Sequence, residues 1–362
     1  MNHSTIQTSG FSIVLCTYNG VSRLAPTLQH IAKLVIPADF AAELIIVNNA
    51  STDDTEGFAI NAWKNLGNPF PLIVLNENRP GKGYAIETGY DRATCSYILT
   101  VDDDNWLKDD YLLISAKLME SDAKIGILQG KSEAVFEKHP PEWIQDFLLC
   151  FVIGSPKNEN GYFPKNDFYI WGAGMVFKNA DWKHIRTLGF SFLTSKVPGK
   201  AAGEDHETAI ALLMLGRKIW YTDQLNFKHY MPADRINWNK LKQNFETWGY
   251  VNYYRFLYIL VLESYHKKLI ITSSIIQRKF LIFSLRKLKH QSLGAYYRFL
   301  VNNNEKTMSN GSVWQNLSLI KSFINLSKTA LADTKHIQTW MFAILKENPN
   351  DFFIELKDSQ MV

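Results

Sequence analysis

The sequence is poor in cysteine, which excludes a disulfide framework and a structural zinc site. The chain of 362 residues contains Cys16, Cys95 and Cys150, without any CxxC spacing. A sparse, odd set of this kind is typical of a reducing compartment. The N-terminal segment MNHSTIQTSG also lacks the basic and then apolar pattern of a secretion signal. We therefore expect a cytoplasmic protein.

Long apolar runs and a strong charge of one sign are missing too. A membrane-spanning helix needs about 18 apolar residues, and stretches such as 269–276 reach about half of that. The 39 Lys and Arg residues against 35 Asp and Glu give a net charge of +4. This excess is too small to indicate nucleic acid as a partner. A hydrophobic content of 46% excludes wholesale disorder.

Sequence signatures of several enzyme classes are absent as well. Gly81-Lys82-Gly83 does not fit the GxxxxGK[ST] phosphate-binding loop, and Ile86 stands where a dinucleotide-binding fingerprint needs its third glycine. The sequence contains no GxSxG segment of the α/β hydrolases. These observations exclude P-loop NTPases, Rossmann-type NAD enzymes and hydrolases of that fold.

Residues 11–122 alternate short apolar runs with helical patterns. Runs that are apolar throughout suit strands buried on both faces, and their alternation with helices predicts an α/β protein with a mostly parallel sheet. In such sheets ligands bind beyond the carboxyl ends of the strands. The predicted strands are 11–16, 43–47, 71–75 and 97–101, and the predicted helices are 21–35, 53–66, 82–93 and one from about residue 109.

Polar clusters follow all four predicted strands. Helix caps and turns use the same residue types, so each cluster alone is open to that interpretation. It does not explain three consecutive carboxylates directly after a buried strand. The clusters are Thr17-Tyr18-Asn19-Gly20, the segment from Asn48-Asn49 to Asp53, the segment from Asn78 to Gly83, and Asp102-Asp103-Asp104-Asn105.

The three aspartates, Asp102, Asp103 and Asp104, leave two interpretations open. A solvated acidic turn requires no ligand. Like charges this close repel, however, and desolvation adds to the cost unless a cation compensates them. Mg²⁺ and Mn²⁺ take oxygen ligands and bridge carboxylates to substrate phosphates. Because the other polar clusters are predicted at the same edge, we favour a divalent metal.

The middle of the chain is less regular. Residues 168–177 have strand character interrupted by Gly172 and Gly174, residues 195–203 read as a flexible loop, and 218–221 and 224–229 as two short strands. Glu204-Asp205 begins a helical pattern over 208–215. Two acids there complement the helix dipole, or they form a catalytic pair.

Seven segments in this order resemble the family 2 glycosyltransferases of GT-A fold. They are TYNG, NNASTDDT, NRPGKGYA, the aspartate cluster, WGAGM, GEDHE and KHYMP, and they extend over about residues 10–235. The resemblance implies a Rossmann-like GT-A fold and metal-dependent, inverting transfer from a nucleotide-sugar. It also implies donor-binding roles for Thr17, Tyr18, Asn19, Asn48, Asn49, Asp53, Arg79, Lys82, Asp102, Asp103, Trp171, Gly172 and Gly174.

The resemblance further implies the catalytic and metal-binding residues. Glu204 and Asp205 match the catalytic acids, and we expect Asp205 to be the base. Asp104 matches a metal ligand, with Asp102 and His229 as further candidates for Mn²⁺ or Mg²⁺. The sequence departs from the family at Asn48 and Asn49, where a carboxylate usually reads the base; this leaves the nucleotide open, with a UDP-sugar favoured.

We predict a catalytic domain over residues 1–235 and a helical region over 236–362 that faces the membrane or the acceptor. Between Arg255 and Arg298 there are nine Lys or Arg residues and one acid, Glu263. We expect these charges to hold the protein at the inner face of an anionic membrane, and we expect the apolar residues between them to be core. The expected acceptor is a glycan or a lipid-linked saccharide.

Two alternatives to a glycosyltransferase remain. A sugar-1-phosphate nucleotidyltransferase would share the nucleotide-binding fold, but it needs a glycine-rich basic loop after the first strand, where this chain has TYNGVSR. A non-catalytic nucleotide-sugar-binding protein would not need both the aspartate cluster and Glu204-Asp205. We expect no nucleic acid partner under any of these readings.

Overall fold

The computed structural model describes residues 8–164, 169–196, 202–289, 292–302 and 306–349. Within these ranges, nine strands form one mixed sheet in the order β3-β2-β1-β4-β8-β6-β9-β5, with β7 paired to β9. The strands are β1 (Thr8–Thr17), β2 (Ala41–Asn49), β3 (Leu72–Glu77), β4 (Cys95–Asp102), β5 (Asn105–Leu107), β6 (Ile125–Phe136), β7 (Gly161–Tyr162), β8 (Val176–Lys178) and β9 (Lys218–Met231).

The first four strands form the parallel half of the sheet, as the sequence predicts. β1 lies between β2 and β4 and runs parallel to both. The register pairs Cys16 with Asp102 and Thr17 with Asn48, so three of the polar clusters meet at one edge. The antiparallel pairs β4–β8, β6–β8 and β5–β9 complete the mixed sheet.

Helices cover both faces of the sheet. α1, α2 and α4 bury residues such as Leu28, Trp63 and Leu112 on one face, and α3, α5 and α6 bury residues such as Ile86, Trp182 and Leu212 on the other. Burial on both faces explains the continuously apolar strands. The helices are α1 (Leu24–Ala32), α2 (Thr55–Asn65), α3 (Lys82–Arg92), α4 (Tyr111–Ser121), α5 (Asn179–Thr187) and α6 (Glu204–Met214).

The chain after the sheet is helical, as predicted. The Trp340 ring lies 5.1 Å from Phe190 and 5.8 Å from Tyr258, centroid to centroid, so these helices extend the core on the α5–α6 face. The division into two domains at residue 235 remains a prediction. The helices are α7 (Trp238–Lys267), α8 (Ser273–Lys289), α9 (Leu293–Val301), α10 (Met308–Leu326) and α11 (Ala330–Glu347). In the described part of the chain, no helix has both the length and the apolar content needed to cross a membrane.

Two predictions of secondary structure need correction. The strand predicted over 168–177 is wrong for 169–175, where Trp171 and Ala173 are buried in a loop and only Val176–Lys178 is extended. The two short strands predicted after residue 218 belong to one continuous strand, β9, which pairs with β6 over residues 218–221 and again over 226–231, with a register shift between the two stretches. Of the loop predicted over 195–203, residues 197–201 lie outside the described residues.

Candidate active site

Each of the three consecutive aspartates pairs with a different cation of the protein. Lys82 Nζ lies 2.9 Å from Asp102 Oδ1, and Arg23 Nη2 lies 2.8 Å from Asp103 Oδ2. Arg235 Nη1 contacts Asp104 Oδ2. The repulsion that led us to expect a metal ion is therefore offset by side chains of the protein itself. Charge repulsion alone no longer argues for a metal here.

The turn that carries the aspartates is fixed by short-range hydrogen bonds. The Asp102 amide donates to Asn105 Oδ1 at 3.0 Å, and Asn105 Nδ2 donates to Asp104 Oδ1 at 2.9 Å. Thr27 Oγ1 donates to the Asp103 carbonyl at 2.8 Å. These bonds hold the three carboxylates in separate directions, so that each meets its own cation.

Lys82 connects the aspartate turn to the acid pair of α6. Its Nζ lies 2.9 Å from Asp102 Oδ1 and 3.1 Å from Glu204 Oε1, and its side chain is half-buried. Burial would lower the pKa of Lys82, but the charges of Asp102 and Glu204 raise it well above its ordinary value. Lys82 is therefore a permanent cation between the two acidic segments.

Glu204 and Asp205 begin α6, directly after Gly203, whose φ of 109° few other residues adopt. Glu204 is buried, and its Oε2 has no hydrogen-bond partner among the described residues. Asp205 is half-buried; its Oδ2 accepts from the Gly172 amide at 3.2 Å, and its Oδ1 from the His206 amide at 2.7 Å. Burial raises the pKa of both carboxyl groups. Asp205 is the more accessible of the two.

His229 and Asp104 are the residues that fit a metal ion. His229 Nε2 lies 3.5 Å from Asp104 Oδ1, and His229 Nδ1 lies 3.2 Å from the Val152 carbonyl. A proton on Nδ1 would be donated to the Val152 carbonyl and would leave the Nε2 lone pair for a metal ion, which is the usual arrangement of a ligating histidine. Burial would raise the pKa of Asp104, but His229 and Arg235 lower it below its ordinary value. The described residues contain no cluster of three His, Cys, Asp or Glu side chains that could hold a metal by themselves.

Most of the residues predicted to contact the base and the ribose after β1 and β2 are bonded to other residues of the protein, and one of them faces solvent. Thr17 Oγ1 donates to Asp103 Oδ2 at 2.6 Å, whereas the neighbouring Tyr18 ring is largely exposed. Asn19 Oδ1 accepts from the Thr52 amide at 2.8 Å, and Asp53 Oδ2 from the Val21 amide at 3.4 Å. These bonds tie the loop after β1 to the loop after β2, with Tyr18 turned to solvent.

Asn49 has all its polar atoms engaged with the backbone. Its Nδ2 donates to the carbonyls of Glu77 and Arg79 at 3.1 and 2.7 Å, and its Oδ1 accepts from the Gly81 amide at 3.1 Å. This side chain positions the loop before α3. Asn48 is half-buried; its Nδ2 donates to Asn76 Oδ1 at 2.9 Å and its Oδ1 has no hydrogen-bond partner among the described residues, so Asn48 is the more available of the two asparagines.

Arg79 and the WGAGM segment have local partners. Arg79 Nη2 lies 2.7 Å from Glu77 Oε2, and its guanidinium lies 4.3 Å from the centre of the Tyr84 ring. The Trp171 amide donates to Gln129 Oε1 at 3.2 Å. Gly174 has φ 69°, and a Cβ there would meet the Tyr111 hydroxyl at 2.5 Å, so packing alone requires this glycine.

Sequence reasoning missed Arg23, Arg235 and Asn105. Asn105 belongs to the quoted aspartate cluster, and Arg23 and Arg235 follow TYNG and KHYMP by a few residues. The signal that could have found the two arginines was the need for cations beside three adjacent carboxylates. On the sequence alone, a divalent metal meets that need equally well.

Comparison with known proteins identifies a family for the first half of the chain. Residues 12–185 match the family model described as Glycosyl transferase family 2, and this segment, just under half of the chain, belongs to that family. It is 29% identical over 191 residues to the poly-beta-1,6-N-acetyl-D-glucosamine synthase of Staphylococcus epidermidis, covering 53% of this chain and 45% of that protein. It is 26% identical over 211 residues to the dodecaprenyl-phosphate galacturonate synthase of Rhizobium johnstonii, covering 55% of this chain and 58% of that protein. The match therefore spans about half the length of the curated relatives.

Solved structures agree on the fold. The crystal structure of S. aureus TarS 1–349 in complex with UDP-GlcNAc superposes with a TM-score of 0.53 at 15% identity, covering 93% of this chain and 92% of that chain. The complex of the same protein with UDP superposes with a TM-score of 0.50 at 15% identity, covering 94% of this chain and 92% of that chain. The mixed sheet with flanking helices is thus GT-A-like, followed by a helical C-terminal region.

Proposed function

We propose that the chain is an inverting glycosyltransferase that moves a sugar from a nucleotide-sugar to a hydroxyl of a glycan or a lipid-linked saccharide. The observation that carries the proposal is the Lys82 bridge, with Nζ 2.9 Å from Asp102 and 3.1 Å from Glu204. It joins the proposed nucleotide-binding acid to the proposed catalytic pair at the carboxyl edge of the parallel strands. Ligands of α/β sheets bind at this edge.

The proposed general base is Asp205. In inverting transfer the acceptor hydroxyl attacks the anomeric carbon from the side opposite the leaving diphosphate, and a carboxylate takes the hydroxyl proton. The Gly172 and His206 amides each hold one oxygen of Asp205. Glu204, tied to Lys82, positions this segment. A base placed in this way supplies about 10²–10⁴-fold in rate.

The proposed cofactor is Mn²⁺ or Mg²⁺, held by Asp104 and His229 with Asp102 nearby. Divalent ions of this kind complete their shell with water and substrate phosphates, so two protein ligands are sufficient. The metal would neutralise charge on the leaving diphosphate. Arg235, which contacts Asp104, and Arg23, which pairs with Asp103, add positive charge beside the same turn.

The proposed donor is a UDP-sugar, with UDP-N-acetylglucosamine as the first candidate. The name of the S. epidermidis relative and the UDP-GlcNAc complex of TarS support this choice. The name of the R. johnstonii relative, a dodecaprenyl-phosphate galacturonate synthase, supports a lipid-linked acceptor. Such an acceptor would place the enzyme peripherally at the inner face of the cell membrane, in surface polysaccharide synthesis.

A donor screen by thermal shift tests the proposal. UDP-, GDP- and dTDP-sugars are added to the protein with and without Mn²⁺. Ligand at 100 times its Kd stabilises a protein by about 2.7 kcal/mol, which is well within detection. We expect UDP-N-acetylglucosamine with Mn²⁺ to raise the midpoint of thermal unfolding of the wild type. In the variant Asp102→Ala this rise should be absent. If no nucleotide-sugar shifted the wild-type midpoint, the proposal would fail.

A further inference from the structure

Helix α9 turns an apolar stripe to solvent. Leu293, Tyr297, Leu300 and Val301 are between 69% and 88% exposed, and their spacing of four, three and one residues places them on one helix face. On the opposite side Ala295 is buried, and the Phe299 ring lies 5.7 Å from Trp314. The exposed stripe is therefore additional to the face that packs on the protein.

Helix α8 repeats the arrangement before it. Phe280 is buried, and its ring stacks on Phe323 at 3.9 Å, but Leu281, Ile282 and Leu285 on the outer side are exposed. Our expectation that the apolar residues of this region are core is thus wrong for much of α8 and α9. Clusters of exposed aliphatic side chains of this kind mark interaction sites.

Positive charge surrounds the exposed apolar residues. Residues 264–302 contain eight Lys or Arg and no Asp or Glu. Lys267 and Lys279 both pair with Glu263 at 2.6 Å. Arg278, Arg286, Lys289 and Arg298 are exposed on α8 and α9. Aliphatic side chains flanked by basic ones on consecutive helices are the pattern of helices that lie in a membrane interface.

We propose that the outer face of α8 and α9 inserts its aliphatic side chains into an anionic lipid surface while the basic side chains contact the headgroups. A second copy of the chain is a poorer occupant, because a symmetric contact would bring two such positive surfaces together. This inference deepens the proposed peripheral location. Docking by charge alone would not need the leucines of α9, whereas insertion requires them.

Vesicle flotation tests the insertion without donor or acceptor, so its outcome is independent of the proposed transferase activity. The full chain is mixed with phosphatidylcholine vesicles with or without phosphatidylglycerol. We expect binding only to the anionic vesicles. The variant Leu293→Gln/Leu300→Gln should weaken binding about 100-fold, because each buried leucine contributes at least about tenfold. Arg286→Gln/Arg298→Gln should weaken it about fivefold for each charge.

Matched controls lie on α2 and α4, which pack on the sheet. Ile60 and Leu113 are also exposed aliphatic residues, so Ile60→Gln/Leu113→Gln should float like the wild type. A nitrobenzoxadiazole label on Leu300→Cys should shift to the blue on anionic vesicles. The inference is overturned if the wild type does not bind, or if the leucine variant binds as tightly as the wild type. It is also overturned if the wild type is a dimer that the leucine variant dissociates.

Discussion

The side chains of the candidate site are arranged as paired charges. Asp102, Asp103 and Asp104 each have one cation, and Lys82 serves Asp102 and Glu204 together. A half-buried cation between two acids stabilises both carboxylates. If the cation is removed, each carboxylate is left as a buried charge without compensation. Lys82 therefore couples the protonation of the acid pair to the aspartate turn.

Replacement of Lys82 should change the pH dependence of transfer. Burial raises the pKa of Glu204 and of Asp205, and the charge of Lys82 opposes that rise in both. In Lys82→Met the two pKa values should rise further, so the base becomes protonated at a higher pH. We expect the acidic limb of the kcat/KM profile to move to higher pH. Circular dichroism verifies the fold of the variant, and Lys117→Met, at an exposed position, is the control. An acidic limb at the wild-type pH in Lys82→Met would contradict this coupling.

Removal of Asp104 should remove the metal response of donor binding. Asp104 and His229 are the proposed ligands of the ion, and because loss of an outer-shell partner already costs about 10–100-fold in metal affinity, loss of a ligand should cost at least as much. We expect calorimetry to find that Mn²⁺ no longer strengthens UDP binding by Asp104→Ala. Asp103→Ala is the matched control, because Asp103 pairs with Arg23 and should leave the Mn²⁺ enhancement in place. An equal enhancement in both variants would move the metal site elsewhere.

At this scale the sequence indicates the acidic segments and Lys82, but not Arg23 and Arg235, which pair with two of the acids. Asp102, Asp104 and Asp205 follow strands or begin a helix inside recognisable segments. Arg23 reaches Asp103 across 80 residues, and Arg235 reaches Asp104 across 131. Such contacts form only when distant segments come together in the fold, and no local pattern encodes them.

Among the elements, α6 is attached to its surroundings through Glu207. This buried carboxylate accepts from the amides of Leu193 and Thr194 at 3.0–3.1 Å, from Thr194 Oγ1 at 2.6 Å and from Tyr258 Oη at 2.5 Å. The Glu207 side chain thus connects α6 with residues 193–194 and with α7. The start of α6 carries Glu204 and Asp205, so their position depends on this junction.

Glu207→Gln should destabilise the protein. The amide nitrogen would face donors that now meet a carboxylate oxygen, and bonds to charged groups contribute about 1.5–3 kcal/mol each. We expect a loss of about 2–4 kcal/mol in urea unfolding, and about 1.5 kcal/mol for Tyr258→Phe. Glu120→Gln, at an exposed position of α4, should be neutral. Equal stability of Glu207→Gln and Glu120→Gln would contradict the role of this junction.

Elements were predicted well where periodicity was decisive. The strands β1 to β4 and the helices α1 to α3 lie where the apolar patterns indicated. The segment 169–175 was misread because its apolar residues are buried in a loop, and burial without periodicity does not separate a loop from a strand. The antiparallel strand β5, of three residues, is too short to leave a pattern, and the two residues of β8 inside the predicted strand could not be separated from the loop before them.

For the whole molecule, the fold class and the family follow from the order of the motifs. The helical region was expected, but which of its apolar side chains face outward could not be read, because α8 and α9 are apolar on more than one face. Only packing against α7 and α10 separates Phe280 from Leu281.

The central claim is that one site binds the donor and that Asp205 deprotonates the acceptor. The most direct measurement is the rate of UDP release from UDP-N-acetylglucosamine with Mn²⁺ and a membrane extract as the source of acceptor. Asp205→Asn keeps the size and removes the proton acceptor, so the rate should fall about 100-fold or more while donor affinity by calorimetry persists. A wild-type rate in Asp205→Asn would contradict the account, and a loss in Glu204→Gln instead would make Glu204 the base.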